Sequence, residues 1–116
     1  MKNYATATIE GFVTREPVVR TTKTGKTVCS FSLAVNHFVK EGAEPGVSYI
    51  DVETWEKLAE TCAKSVAKGK KVLVIGGLRQ DRWEGSDGKT QTKIKIVGTE
   101  VRFLEKPSQS PLKEAV

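Results

Sequence analysis

The sequence predicts a small all-β barrel of five strands in one domain, with a single α-helix between the third and fourth strands. Three observations carry that prediction. Period-two alternation recurs in separate stretches, only one segment has helical spacing, and glycines stand inside strands where a sheet must coil on itself. The length, 116 residues, is that of one domain.

Each element can be read in turn. Tyr4 to Val13 is rich in β-branched residues, with Gly11 as a position for a bend or bulge. A turn around Glu16-Pro17 and a closing Thr24-Gly25-Lys26 connect it to the second strand. There Cys29, Phe31, Leu33 and Val35 interleave with Ser30, Ser32, Ala34 and Asn36, the pattern of a half-buried strand. Phe38 then falls on the polar side. The stretch KEGAEPG, Lys40 to Gly46, is a loop broken by Pro45 and Gly46. In the third strand, Tyr49 to Trp55, Ile50, Val52 and Thr54 share one face, while Tyr49, Asp51, Glu53 and Trp55 share the other. Leu58, Ala59, Cys62, Ala63, Val66 and Ala67 recur at helical spacing, and Gly69 follows Lys68 as a stop.

Lys70 to Trp83 is the fourth strand, bent at Gly76-Gly77, and Asp87-Gly88 marks a hairpin turn. Gln91 to Leu104 is the fifth. Ile94 and Ile96 share a face there, and the phase then shifts around Gly98 to Val97, Val101 and Phe103, which suits a bulge. The order β-β-β-α-β-β is that of the OB-fold, a partly open Greek-key barrel. Residues 1–104 form this domain. Residues 105–116, with Pro107, Ser108, Ser110 and Pro111, show no period and are expected to be a short flexible C-terminal tail.

Composition excludes several classes. Hydrophobic residues at 38% and charged residues at 28% describe a globular chain, without an apolar run of membrane-span length. The start, MKNYATATIEG, lacks a signal-peptide pattern, so a cytoplasmic setting is expected. Cys29 and Cys62 form no CxxC pattern and fall in apolar phase, where a thiol acts as a small hydrophobe. With one histidine, His37, they supply no zinc site, and no metal or other cofactor is expected. Catalysis is disfavoured: no nucleophile, base and orienting acid assemble, and a solvated strand face explains Asp51 and Glu53 as well as a working carboxylate pair does.

The net charge of +5 is unevenly spread. Residues 68–104 hold nine basic and four acidic groups, whereas residues 38–67 hold three and six. This places a cationic face on the last two strands. Arg79, Arg82, Lys89, Lys93 and Lys95 crowd those strands, and Phe38, Tyr49, Trp55 and Trp83 lie on or beside outer faces. Flat rings interleaved with cations suit an unpaired nucleic acid strand, because every base has a π-face and every phosphate a charge. The competing explanation is that the rings cap the barrel ends or fill a subunit interface.

Three segments, in order and at compatible spacing, resemble the bacterial single-stranded DNA-binding protein (SSB) family. They are GFVTREPVVRTTKTGKTVCSFSLAVN, YIDVETWEKLAE and KGKKVLVIGGLRQDRWEGSDGK, and the similarity covers about residues 4–104. The resemblance implies a non-enzymatic OB-fold subunit of a homotetramer that binds single-stranded DNA without sequence preference. It would act in DNA replication, recombination and repair, in the bacterial cytoplasm at the nucleoid. Stacking positions carry over to Tyr49, Trp55 and Trp83, with Phe38 beside a further aromatic position of the family. Basic contacts carry over to Arg20, Lys57, Lys68, Arg79 and Arg82. Asp51 and Asp81 stand where many members are basic or neutral, which weakens local phosphate attraction.

Family members usually end in an acidic, hydrophobic tip that recruits replication and repair proteins, whereas this chain ends SPLKEAV. That departure favours, as the alternative, an OB-fold protein-interaction or primosome-type accessory subunit. RNA binding would use the same platform. The first strand has only Glu10 to guard its edge, so it is expected to pair with its copy in another subunit.

Overall fold

The computed structural model describes residues 5–37, 42 and 46–104. Phe38 and the tail 105–116 lie outside the described residues. The elements are β1 (Thr6–Val13), β2 (Val18–Thr21), β3 (Thr27–His37), β4 (Gly46–Trp55), α1 (Glu56–Ser65), β5 (Lys71–Glu84) and β6 (Thr90–Phe103). Neighbouring strands run β1-β5-β6-β4-β3-β2, and β1 returns to β3 through Phe12↔Ala34 and Val13↔Leu33. Five strands thereby close into the predicted barrel, with the helix between its third and fourth members. The β4–β6 pairing is parallel, from Asp51↔Lys95 to Glu53↔Val97.

The extra strand, β2, falls in a segment whose sequence pattern predicts only a connection. It pairs with β3 from Val18↔Ser30 to Thr21↔Thr27 and stands outside the barrel as an arm. All four of its residues are exposed, so no hydrophobic alternation marks it. Its hydrogen-bonded partner alone makes it a strand.

Inward-facing side chains follow the alternation. Val13, Cys29, Phe31, Leu33, Val52, Val72, Val74 and Ile96 fill the barrel, and Ala59, Cys62 and Val66 close it from the helix side. Thr54 is the polar member of this interior, and its hydroxyl donates to the Cys29 carbonyl at 2.9 Å. Burial and the neighbouring Cys62 push the Cys29 thiol up to about 11, so both buried cysteines are packing groups rather than nucleophiles. The helix is shorter than its apolar spacing. It ends at Ser65, and Val66 reaches the core from extended backbone while its N–H still bonds the Cys62 carbonyl. Among the described residues no helix is long and apolar enough to cross a membrane.

The β5–β6 pairing slips between Ile75 and Gly76: Ile75 faces Glu100 and Gly76 faces Gly98, leaving Thr99 as the bulged residue. Val97 therefore keeps the earlier phase and lies on the outer face opposite Gly77. The expectation that groups it with Val101 and Phe103 is corrected, because the shift comes two residues later. Beyond Gly77 the two strands run on as an arm from Leu78↔Ile96, where Ile96 still lies in the core, to the exposed pair Glu84↔Thr90. The arm closes at Gly85–Lys89, where Gly88 adopts φ +81°, as the Asp-Gly signal anticipates.

Gly76 is required by close approach, since a Cβ there would sit 2.2 Å from the Val97 carbonyl oxygen. At Gly77 the nearest atom would be the Ala5 carbonyl oxygen, at 3.6 Å. Gly76→Ala should therefore destabilise the fold by about 1–3 kcal/mol, whereas Gly77→Ala should be neutral or slightly stabilising. Denaturant midpoints of the two variants check this. Equal effects would contradict the crowding at the bulge.

Candidate nucleic-acid interface

Strand register gathers one continuous outer face. β3 contributes Ser30, Ser32 and Ala34, and β4 contributes Tyr49, Asp51, Glu53 and Trp55. Lys93 and Lys95 come from β6, and Arg79, Asp81 and Trp83 from the arm of β5. Arg20 joins from β2, in register with Val28 and hence with Trp55. In an OB-fold this face, with the loop after the first strand and the last hairpin, is where oligonucleotides lie.

A groove of about 430 Å³ runs across the face, lined among others by Arg15, Val18, Ser30, Ser32, Asp51, Glu53, Asp81, Lys93 and Lys95. Tyr49 extends it in one direction, and it is 72% exposed. Trp83, 48% exposed, stands on the arm. Both rings are open to a stacking partner. Trp55 is partly covered: its Nε1–H donates to Glu53 Oε1 at 2.9 Å, which fixes the indole along β4.

Glu53 is the centre of the electrostatics. Although it alternates with outward residues, it is only 6% exposed, which corrects the expectation of a solvated strand face. Its carboxylate accepts from Lys95 Nζ at 3.0 Å and from an Arg20 guanidinium nitrogen at 3.5 Å, besides Trp55. Burial opposes the charge, but the hydrogen bonds from Trp55, Lys95 and Arg20 outweigh it and hold the carboxyl below its usual range. Lys95 also meets Asp81 at 2.9 Å. Its own burial is outweighed by Asp81 and Glu53, which raise its pKa. Hydrogen bonding from Lys95, then the charges of Lys95 and Arg79, lowers that of Asp81. A separate pair joins Lys93 Nζ to Asp51 at 2.5 Å. The groove thus consists of carboxylate–cation pairs between rings.

The residues expected to bind nucleic acid fall into two groups. Tyr49, Trp55, Trp83, Arg20 and Arg79 share the face, although Arg20 and Arg79 are engaged by Glu53 and Asp81. Arg82 points to the opposite side of the arm, in phase with Leu78 and Gln80. Lys57 lies in the first turn of α1 beyond Trp55, and Lys68 lies past the other end of that helix. All three are exposed, and among the described residues none of them forms a salt bridge. Sequence reasoning misses Glu53 as an organiser. Its one signal is its position two residues before Trp55 on the same face.

Comparison with known proteins identifies the family. Residues 4–104 match the single-strand binding protein family. The chain is 38% identical over 99 residues to the single-stranded DNA-binding protein of Caldanaerobacter subterraneus subsp. tengcongensis, covering 84% of this chain and 66% of that one. It is 36% identical over 102 residues to the single-stranded DNA-binding protein 2 of Chlorobaculum tepidum, covering 84% and 69%. Against the single-stranded DNA-binding protein of Treponema pallidum it is 35% identical over 96 residues, 81% of this chain and 54% of the relative, so it spans only part of these proteins. A solved structure described as a Plasmodium falciparum SSB complex with ssDNA superposes with a TM-score of 0.82 at 21% identity, over 90% of this chain and 98% of that one, and so shares the fold. By its sequence match and its closed barrel, the chain belongs to the single-strand binding protein family.

Proposed function

We propose that the chain binds single-stranded DNA without requiring a defined sequence, and protects exposed strands during replication, recombination and repair. One observation carries this: three aromatic side chains from two strands share a single face, with a polar, cation-lined groove between them. Tyr49 and Trp83 offer open π-faces, Trp55 offers a fixed one, and Arg79, Lys93 and Lys95 stand where phosphates would pass. The names of the relatives point the same way, since they are single-stranded DNA-binding proteins. The chain acts as a binding module and not as an enzyme.

Assembly into a homo-oligomer fits the open edge of β1. Its residues Thr6–Gly11 pair with β5 on one side, whereas β3 reaches β1 only at Phe12 and Val13. A second copy can add its own β1 along that edge. Sedimentation at micromolar concentration should find a dimer or tetramer, and monomer alone would contradict it.

The two halves of the binding mechanism separate by mutation. Trp83→Ala should weaken oligo-dT binding by about 1–3 kcal/mol and leave the salt dependence unchanged, because stacking displaces no condensed ions. Arg79→Ala should make the fall of log affinity with log salt shallower by about 0.7, one phosphate contact's worth. Tryptophan fluorescence titrations at several salt concentrations measure both. Negligible oligo-dT binding by the wild type at low salt would instead favour the protein-interaction subunit, and tighter oligo-U binding would favour RNA.

A further inference from the structure

The stacking ring of Tyr49 and the Asp51–Lys93 pair share one open groove of about 520 Å³, which Thr14, Arg15 and Ser32 complete. Asp51 follows Tyr49 by two residues on the same strand face, about 7 Å along β4. That distance is comparable with the width of a base lying on the phenol ring. A base stacked on Tyr49 with its hydrogen-bonding edge turned along β4 would meet a carboxylate oxygen and an ammonium held 2.5 Å apart. A second, less exposed carboxylate–ammonium cluster lies further along the groove, where Lys95 Nζ is 2.9 Å from Asp81 and 3.0 Å from Glu53.

Bases do not meet such a pair equally. Cytosine, adenine and guanine carry an exocyclic amino group that can donate to a carboxylate, with a ring nitrogen or carbonyl nearby to accept from an ammonium. Uracil and thymine have one donor, N3–H, recessed between two carbonyl oxygens that repel a carboxylate. At ring position 4 they present an acceptor where cytosine presents a donor. A groove holding lysines alone would not draw this distinction, because ammonium groups accept the approach of any carbonyl.

We propose that Asp51, paired with Lys93 beside Tyr49, gives the single-strand site a preference for bases bearing an exocyclic amino group over thymine and uracil. The inference rests on the single-stranded DNA reading above. It makes Asp51 a specificity-determining residue: it restrains Lys93 in the free chain and reads the edge of the stacked base in the complex.

The test compares oligo-dC and oligo-dU of equal length at pH 8, by tryptophan fluorescence titration of the whole chain. The two strands differ only at ring positions 3 and 4, so sugar, phosphates and the absence of a methyl group are matched. Oligo-dC should bind more tightly by about fivefold or more. Asp51→Asn keeps the side chain's shape, but its amide can donate to O4 as readily as it accepts from N4, so the ratio should fall towards one. Equal or tighter binding of oligo-dU by the wild type overturns the proposal, as does a ratio that Asp51→Asn leaves unmoved. Binding of neither strand at low salt contradicts the single-strand reading itself and removes the basis of this inference, a failure distinct from loss of preference.

Discussion

A buried carboxylate ties together the centre of the outer face. Taking Glu53 out of water as an anion costs several kcal/mol unless donors replace the lost hydration. They come from three strands: Trp55 on β4, Lys95 on β6 and Arg20 on β2. Together they tie the indole, the lysine and the β2 arm to one carboxylate in the free chain. An interface assembled in advance loses less freedom on binding than one ordered by its ligand.

The same network limits the cationic character of the groove. Arg20, Arg79, Lys93 and Lys95 all face carboxylates, so the net charge of +5 is not expressed at the centre of the face. In the proposed complex, phosphates gain attraction there by sharing or replacing those carboxylates, while the exposed Lys57, Lys68 and Arg82 at the margins supply a longer-range field. On that proposal, stacking carries a larger share of affinity in the groove than a count of lysines and arginines implies. The barrel positions the rings accordingly. Crowding at Gly76 and the Thr99 bulge mark where β5 and β6 leave the barrel for the arm that carries Trp83 on the same face as Tyr49 and Trp55.

Much of this is legible in the sequence. The barrel strands show because half of each faces an apolar core, so Cys29, Phe31, Leu33 and Val52 print the period directly. β2 shows no period, because all four of its residues stay exposed. Apolar spacing over-extends the helix, because Val66 and Ala67 keep the helical period although Val66 enters the core from extended backbone. Tyr49, Trp55 and Trp83 are legible as outward aromatics, since large rings in polar phase break the alternation. Glu53 is not, because alternation reports which face a residue occupies and not whether neighbouring strands cover it. Arg79 and Arg82 look equivalent in sequence, yet an odd separation along a strand sends them to opposite sides of the arm.

The organising role of ionised Glu53 is tested most directly by the stability of wild type and Glu53→Gln across pH. The amide can still accept from Trp55 but no longer pairs with Lys95 and Arg20. Loss of the charge should cost about 1–3 kcal/mol at pH 7. Because the carboxyl titrates lower in the folded chain than in the unfolded one, its contribution is complete above the ordinary carboxylate pKa. It is lost as pH falls through the folded value. The expected result is a gap between the two denaturation curves that is largest near neutrality and closes in acid. A gap of constant size at every pH, or none at pH 7, would contradict a face held together by that charge.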